Sequence, residues 1–119
     1  MKIENFKDLI VWQKAMSLVE KIYKLTARLP KEEIFGLTSQ MRRSAVSIPS
    51  NIAEGYERKA TKEYLRFLAI ANGSRAELMT QIEICKMLGL SNVDEEEILC
   101  DEVGKMLNTI IAKLESQLS

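Results

Sequence analysis

Apolar residues recur three and four positions apart along nearly the whole chain, and no segment alternates in the manner of a strand. That periodicity predicts an all-α protein of four helices. The first runs from about Phe6 to Arg28 on a stripe of Leu9, Trp12, Met16, Val19 and Tyr23, and LPKEEIFG closes it. The second spans about Leu37 to Glu57. The third starts at Thr61, read as its N-cap, and ends at Gly89, read as the glycine just past its C-terminus. The fourth opens at SNVDEEE. There Asn92 and Glu95 have capping-box spacing, and an acidic first turn suits the helix dipole. Its stripe is Leu99, Val103, Met106, Ile110 and Leu114. Short connections between four helices predict an up-and-down antiparallel bundle.

The second helix is unusual. Leu37, Met41, Ala45, Ile48, Ile52 and Tyr56 form one face, directed at the bundle core. Val46, Pro49 and Ala53 form a smaller apolar face shared with Arg42, while Arg43, Ser47, Ser50, Glu54 and Arg58 share the polar side. Pro49 has no N–H and crowds the Ala45 carbonyl, so a kink is expected there, at a cost of about 3 kcal/mol. Serine hydroxyls are the expected partners for the freed carbonyl. The third helix is apolar almost all round. Tyr64, Phe67, Ala71, Leu78, Ile82 and Cys85 make one face, Ile70 and Ile84 point nearly opposite, and Ala69, Gly73, Ala76 and Thr80 form a ridge of small residues. A helix apolar on every side needs cover on every side. Two such helices predict a homo-oligomer, with Arg42, Val46, Pro49, Ala53, Ile70, Gly73 and Ile84 at its interface.

Composition adds limits. The chain of 119 residues, 46% hydrophobic, predicts one domain over 1–119 with a core that needs no disulfide or metal. Charge balances overall, 17 basic against 17 acidic residues, but unevenly along the chain. Residues 1–60 carry 11 Lys/Arg and 7 Asp/Glu, and residues 61–119 carry 6 and 10. That split reads either as a polarised surface or as neighbouring helices neutralising one another. Cys85 and Cys100 are isolated and read as buried free thiols of a cytoplasmic protein. The N-terminus MKIENFKDLIVW has no signal-peptide core, and no apolar run reaches the membrane-spanning length of about 18 residues. No membrane contact is expected.

Chemistry is sparse. Without histidine the chain lacks the usual acid–base group near neutral pH, and the ExxH pairs of di-iron bundles. No phosphate-cradling or nucleophile-elbow motif is present. Neither catalysis, cofactor nor metal is expected. Glu54, Glu77 and Glu83 lie in apolar segments and read as buried partners of Arg43, Arg75 or Lys86. Lys7, Lys14, Lys21 and Arg28 recur every seven residues, and Arg42, Arg43, Arg58 and Lys59 bracket the second helix. Of these, Lys14, Lys21, Arg28, Arg43 and Arg58 are the candidate nucleic-acid contacts, which an oligomer would multiply.

The stretches VWQKA (11–15), FGLTSQMRR (35–43), SIPSNIAEG (47–55) and ANGS (71–74) carry a close resemblance, over essentially the whole chain, to the 23S rRNA intervening-sequence protein family. Arg75 stands where the resemblance implies an apolar residue. The resemblance implies a left-handed up-and-down four-helix bundle assembled as a ring-like homopentamer. Some relatives are encoded within insertions in bacterial 23S rRNA genes. The family is also similar to the accessory protein of diversity-generating retroelements, a basic pentameric barrel that binds nucleic acid and a reverse transcriptase. The expected function is a non-enzymatic oligomer associated with RNA or a ribonucleoprotein. The competing expectation is a protein-binding scaffold that recruits a partner enzyme and touches no nucleic acid. Basic clustering on one surface favours the first, and an exposed apolar rim without it favours the second.

Overall fold

A computed structural model describes residues 2–118. Its main elements are α1 (Ile10–Ala27), α2 (Ser39–Glu57), α3 (Thr61–Met87) and α4 (Asp94–Ser116). Each helix packs on its chain neighbours and α1 packs on α4, which closes the ring order of an antiparallel four-helix bundle. The bundle measures 47 × 25 × 23 Å. Its core runs its length through Leu18, Ile22, Met41, Ile48, Ile52, Leu68, Leu78, Ile82 and Leu107, all fully buried.

Local chemistry sets the ends of the helices. Gly89, at φ +66°, lets the chain leave α3 in a Schellman turn, as the sequence predicts. Its N–H donates to the Lys86 carbonyl and that of Leu90 to the Cys85 carbonyl, each at 3.1 Å. The starts differ from expectation. Thr61 is the first helical residue of α3, and Ala60 caps it without a side-chain bond. At α4 the Asn92–Glu95 box does not form. Asn92 Oδ1 accepts instead from the Asp94 N–H at 3.0 Å, and Glu95 reaches across to Lys21. Before α2 the chain makes a π-helical turn, Ile34–Thr38, kinked at Gly36 and held by Glu33, whose Oε1 accepts from the Leu37 N–H at 3.2 Å. The α2 helix then continues through Pro49. Ser50 Oγ donates to the Val46 carbonyl (2.8 Å), one residue beyond the carbonyl that Pro49 deprives.

Two core stripes lie elsewhere than the spacing suggested. The buried face of α1 is Val11, Ala15, Leu18, Ile22 and Leu25, whereas Met16 and Tyr23 are exposed and Trp12 and Val19 are half-buried. Both stripes have helical spacing. The compact aliphatic one fits the close-packed centre, and the one with large rings and a thioether stays outside. In α4 the buried residues centre on Cys100, Val103 and Leu107. Leu99, Met106, Ile110 and Leu114 are half-buried at the flanks. The faces expected for α2 and α3 are the buried ones, apart from half-buried Tyr56 and Tyr64.

Glycine permits two close approaches. A Cβ on Gly55 would lie 2.7 Å from Phe67 Cβ, so α2 meets α3 there almost backbone to side-chain root. A Cβ on Gly104 would meet the Arg75 side chain at 2.6 Å. Arg75 thus lies across α4 in the groove Gly104 leaves open, with its Nε donating to Asn72 Oδ1 at 3.1 Å.

Candidate functional site

The displaced stripe of α1 makes a surface. Met16 and Tyr23, 43% and 41% exposed, flank half-buried Trp12 and Val19, and α2 adds Val46 (41% exposed), Pro49 and Ala53 beside them. Between the two helices lies a depression of 290 Å³ with walls of Trp12, Met16, Val19, Val46, Pro49 and Ala53. Apolar side chains of two helices therefore form one continuous exposed band. Arg42 forms its edge. The guanidinium sits 4.5 Å from the centre of the Tyr23 ring, Nε donates to Thr26 Oγ1 at 2.8 Å, and Nη2 donates to the Tyr23 carbonyl at 3.4 Å. Thr26 in turn donates to the Ile22 carbonyl at 2.7 Å. Arg42 is thus a strut from α2 to α1 that fixes Tyr23 by stacking and hydrogen bonds.

The residues expected at an interface therefore divide. Arg42, Val46, Pro49 and Ala53 border this band, with Pro49 buried at its base. Ile70 and Gly73 are exposed on α3, and Ile84 is half-buried against the core. Trp12, Met16, Val19 and Tyr23 were missed as surface residues because their spacing is equally good for a core.

The basic residues divide as well. Lys14 pairs with Glu102 at 2.9 Å and Lys21 with Glu95 at 3.3 Å, both across the α1–α4 seam. Arg28 donates to the Lys24 carbonyl and to Ser91 Oγ. Two lysines of the basic N-terminal half are thus neutralised by glutamates of the acidic C-terminal half on the adjacent helix. Arg43 and Arg58 lie on the opposite side, toward α3, and fifteen residues place them about 22 Å apart along α2. Arg58 pairs with Glu54 at 3.0 Å and lies over the Phe67 ring. Arg43 makes no ion pair or hydrogen bond among the described residues. It borders a 250 Å³ depression with Gln40, Ser44, Glu77 and Gln81, where the buried Gln81 Oε1 has no partner.

Glu54, Glu77 and Glu83 are exposed, contrary to the buried pairing expected of them. Glu77 accepts from Ser44 Oγ at 2.9 Å. A hydrogen bond to Glu97 raises the pKa of Glu83, and the same bond, with Lys86 beside it, lowers that of Glu97. Burial pushes the Cys85 thiol up and the Cys100 thiol to about 11, against the opposing pull of Arg75 on Cys100. The Cys100 Sγ–H donates to the Arg75 carbonyl at 3.6 Å. Both thiols are therefore held neutral, which makes them poor nucleophiles. Among the described residues, no group of three or more His, Cys, Asp or Glu side chains is placed to hold a metal ion, and no helix is long and apolar enough to cross a membrane.

Comparison with known proteins adds two likenesses. A family model described as 23S rRNA-intervening sequence protein matches residues 7–109. A solved structure of a protein of unknown function from the S23 ribosomal protein family, from Bacteroides thetaiotaomicron, superposes with a TM-score of 0.77. It shares 22% identity, over 86% of this chain and 98% of that one, and shows the same fold. Among curated proteins there is no match.

Proposed function

Because the chain belongs to the 23S rRNA-intervening sequence protein family, we propose that it is a non-enzymatic bundle protein that assembles with itself into a pentameric scaffold. One observation carries this reading: the continuous apolar band of Trp12, Met16, Val19, Tyr23, Val46 and Ala53 outside a bundle whose core is already complete. Burying such a band is favourable by roughly 25 cal/mol for each Å² removed from water, and only another surface can cover it. A closed ring needs a heterologous contact, in which this band meets a different face of the neighbouring copy. Ile70 and Gly73, exposed on α3, supply a candidate second face. Two buried free thiols support a reducing, cytoplasmic setting.

Association with RNA is the second reading. The family's description supports it, together with Arg43, whose side chain has no ion pair or hydrogen bond among the described residues. The pairing of Lys14 and Lys21 with α4 weighs toward the scaffold. Light scattering coupled to size exclusion, with and without a structured 23S rRNA fragment across a salt series, tests both. A mass several times the 13.6 kDa of one chain is expected. A monomer at all concentrations contradicts the assembly. RNA binding that weakens steeply with salt favours the second reading, and indifference to RNA at low salt removes it.

A further inference from the structure

We propose that the corner where α1 hands over to α2 is a binding site for a phosphate group. A depression of 550 Å³ opens there, with Lys31, Thr38, Ser39, Arg42 and Arg43 along its walls and no carboxylate lining it. Lys14 and Lys21 are neutralised by glutamates of α4, but Lys31 and Arg43 make no ion pair or hydrogen bond among the described residues. Arg42 is held by Thr26 and Tyr23 through Nε and Nη2, and its Nη1 makes no hydrogen bond among the described residues. Glu33, on the adjoining segment, has Oε1 engaged by the Leu37 N–H.

The second observation is Thr38. It is 8% exposed and lines the depression, yet its hydroxyl has no hydrogen-bond partner among the described residues. Among the described residues Gln81 Oε1 alone is a fully buried side-chain polar atom without a partner, so the Thr38 hydroxyl keeps access to the depression and can donate to an oxygen-bearing ligand there. Two guanidinium groups, an ammonium and a hydroxyl around one depression match the several acceptor oxygens of a phosphate, because guanidinium donors recognise such oxygens in pairs. Leu29 and Ile34 add an apolar wall for whatever the phosphate is attached to. The ligand class is therefore a phosphate ester, either free as a nucleotide or within the backbone of an RNA. The site lies within one chain, so it does not depend on self-assembly.

Calorimetric titration of the full chain at fixed ionic strength tests it, with inorganic phosphate, AMP and a short single-stranded oligoribonucleotide as probes and chloride as the control. Saturable binding of phosphate and AMP is expected. Arg43→Gln and Thr38→Val should each weaken it about tenfold or more. Thr38→Ser should retain it, and Lys14→Gln, on the far seam, should leave it unchanged. Oligoribonucleotide binding that suffers the same losses identifies RNA as the source, and AMP binding without it identifies a free nucleotide. Heats equal to those of chloride, or undiminished binding by Arg43→Gln, overturn the proposal. The solution mass of Arg43→Gln, expected to equal that of the wild type, separates this result from the fate of the assembly.

Discussion

At the scale of single residues, Gly55 and Cys100 show what the packing demands. Alanine is favoured over glycine within a helix by about 1 kcal/mol. At Gly55 the added carbon meets the root of the Phe67 side chain at 2.7 Å, and neither helix can yield without repacking. Gly55→Ala should therefore destabilise the fold by up to about 2 kcal/mol net, since overpacking costs about 1–3 kcal/mol, and urea unfolding measures it. Cys100 predicts a pH dependence. Folding raises the thiol pKa from 9.0 to about 11, so its contribution is complete below pH 9 and is lost as pH rises through about 11. Stability should fall over that interval, and less so in Cys100→Ala, when unfolding midpoints are compared at the two ends. Arg75 shows why a sequence alone left some positions open. An arginine in an apolar helix looks misplaced until Gly104, on another helix, is seen to leave room for it. That pairing is a fact of the fold, with no signal in the spacing of either residue.

At the scale of elements, the four helices were legible in their spacing, and the buried faces of α2 and α3 in the long apolar rows each carries beside its smaller second face. The orientation of α1 was not. Leu9–Trp12–Met16–Val19–Tyr23 and Val11–Ala15–Leu18–Ile22–Leu25 share the same spacing, and periodicity cannot choose between two stripes that both satisfy it. Side-chain size could have: the centre of a bundle takes compact aliphatic residues, and large amphipathic rings fit an edge. The correction is measurable. Leu18→Ala should cost about 2–5 kcal/mol, as deletion from a filled core does. Met16→Ala, compared in a background held monomeric, should cost less than about 1 kcal/mol, because an exposed side chain leaves no cavity. Equal costs would return α1 to the orientation first read from its spacing. Charge at this scale was half legible. The sequence offered mutual neutralisation of helices as one of two readings, and the Lys14–Glu102 and Lys21–Glu95 pairs realise it. Such exposed pairs contribute between nothing and about 1 kcal/mol each, so their main effect is to reduce the positive field of α1.

At the scale of the whole molecule, a lone bundle leaves an apolar band in water. An apolar surface beyond the core was legible in the excess of apolar positions, and so was half of its location, Val46, Pro49 and Ala53. The other half came from α1, once the true core stripe displaced Trp12 and Met16 outward. Trp12 is the single tryptophan of the chain, so it reports on that band without labelling. The most direct measurement is acrylamide quenching of its fluorescence in the wild type and in Val46→Glu, whose exposed side chain can change without opening the core. Assembly through the band should leave Trp12 shielded in the wild type and more strongly quenched in Val46→Glu, with unchanged helical circular dichroism. Equal quenching in the two proteins, with the wild type assembled by mass, would show that another face of the bundle makes the contact.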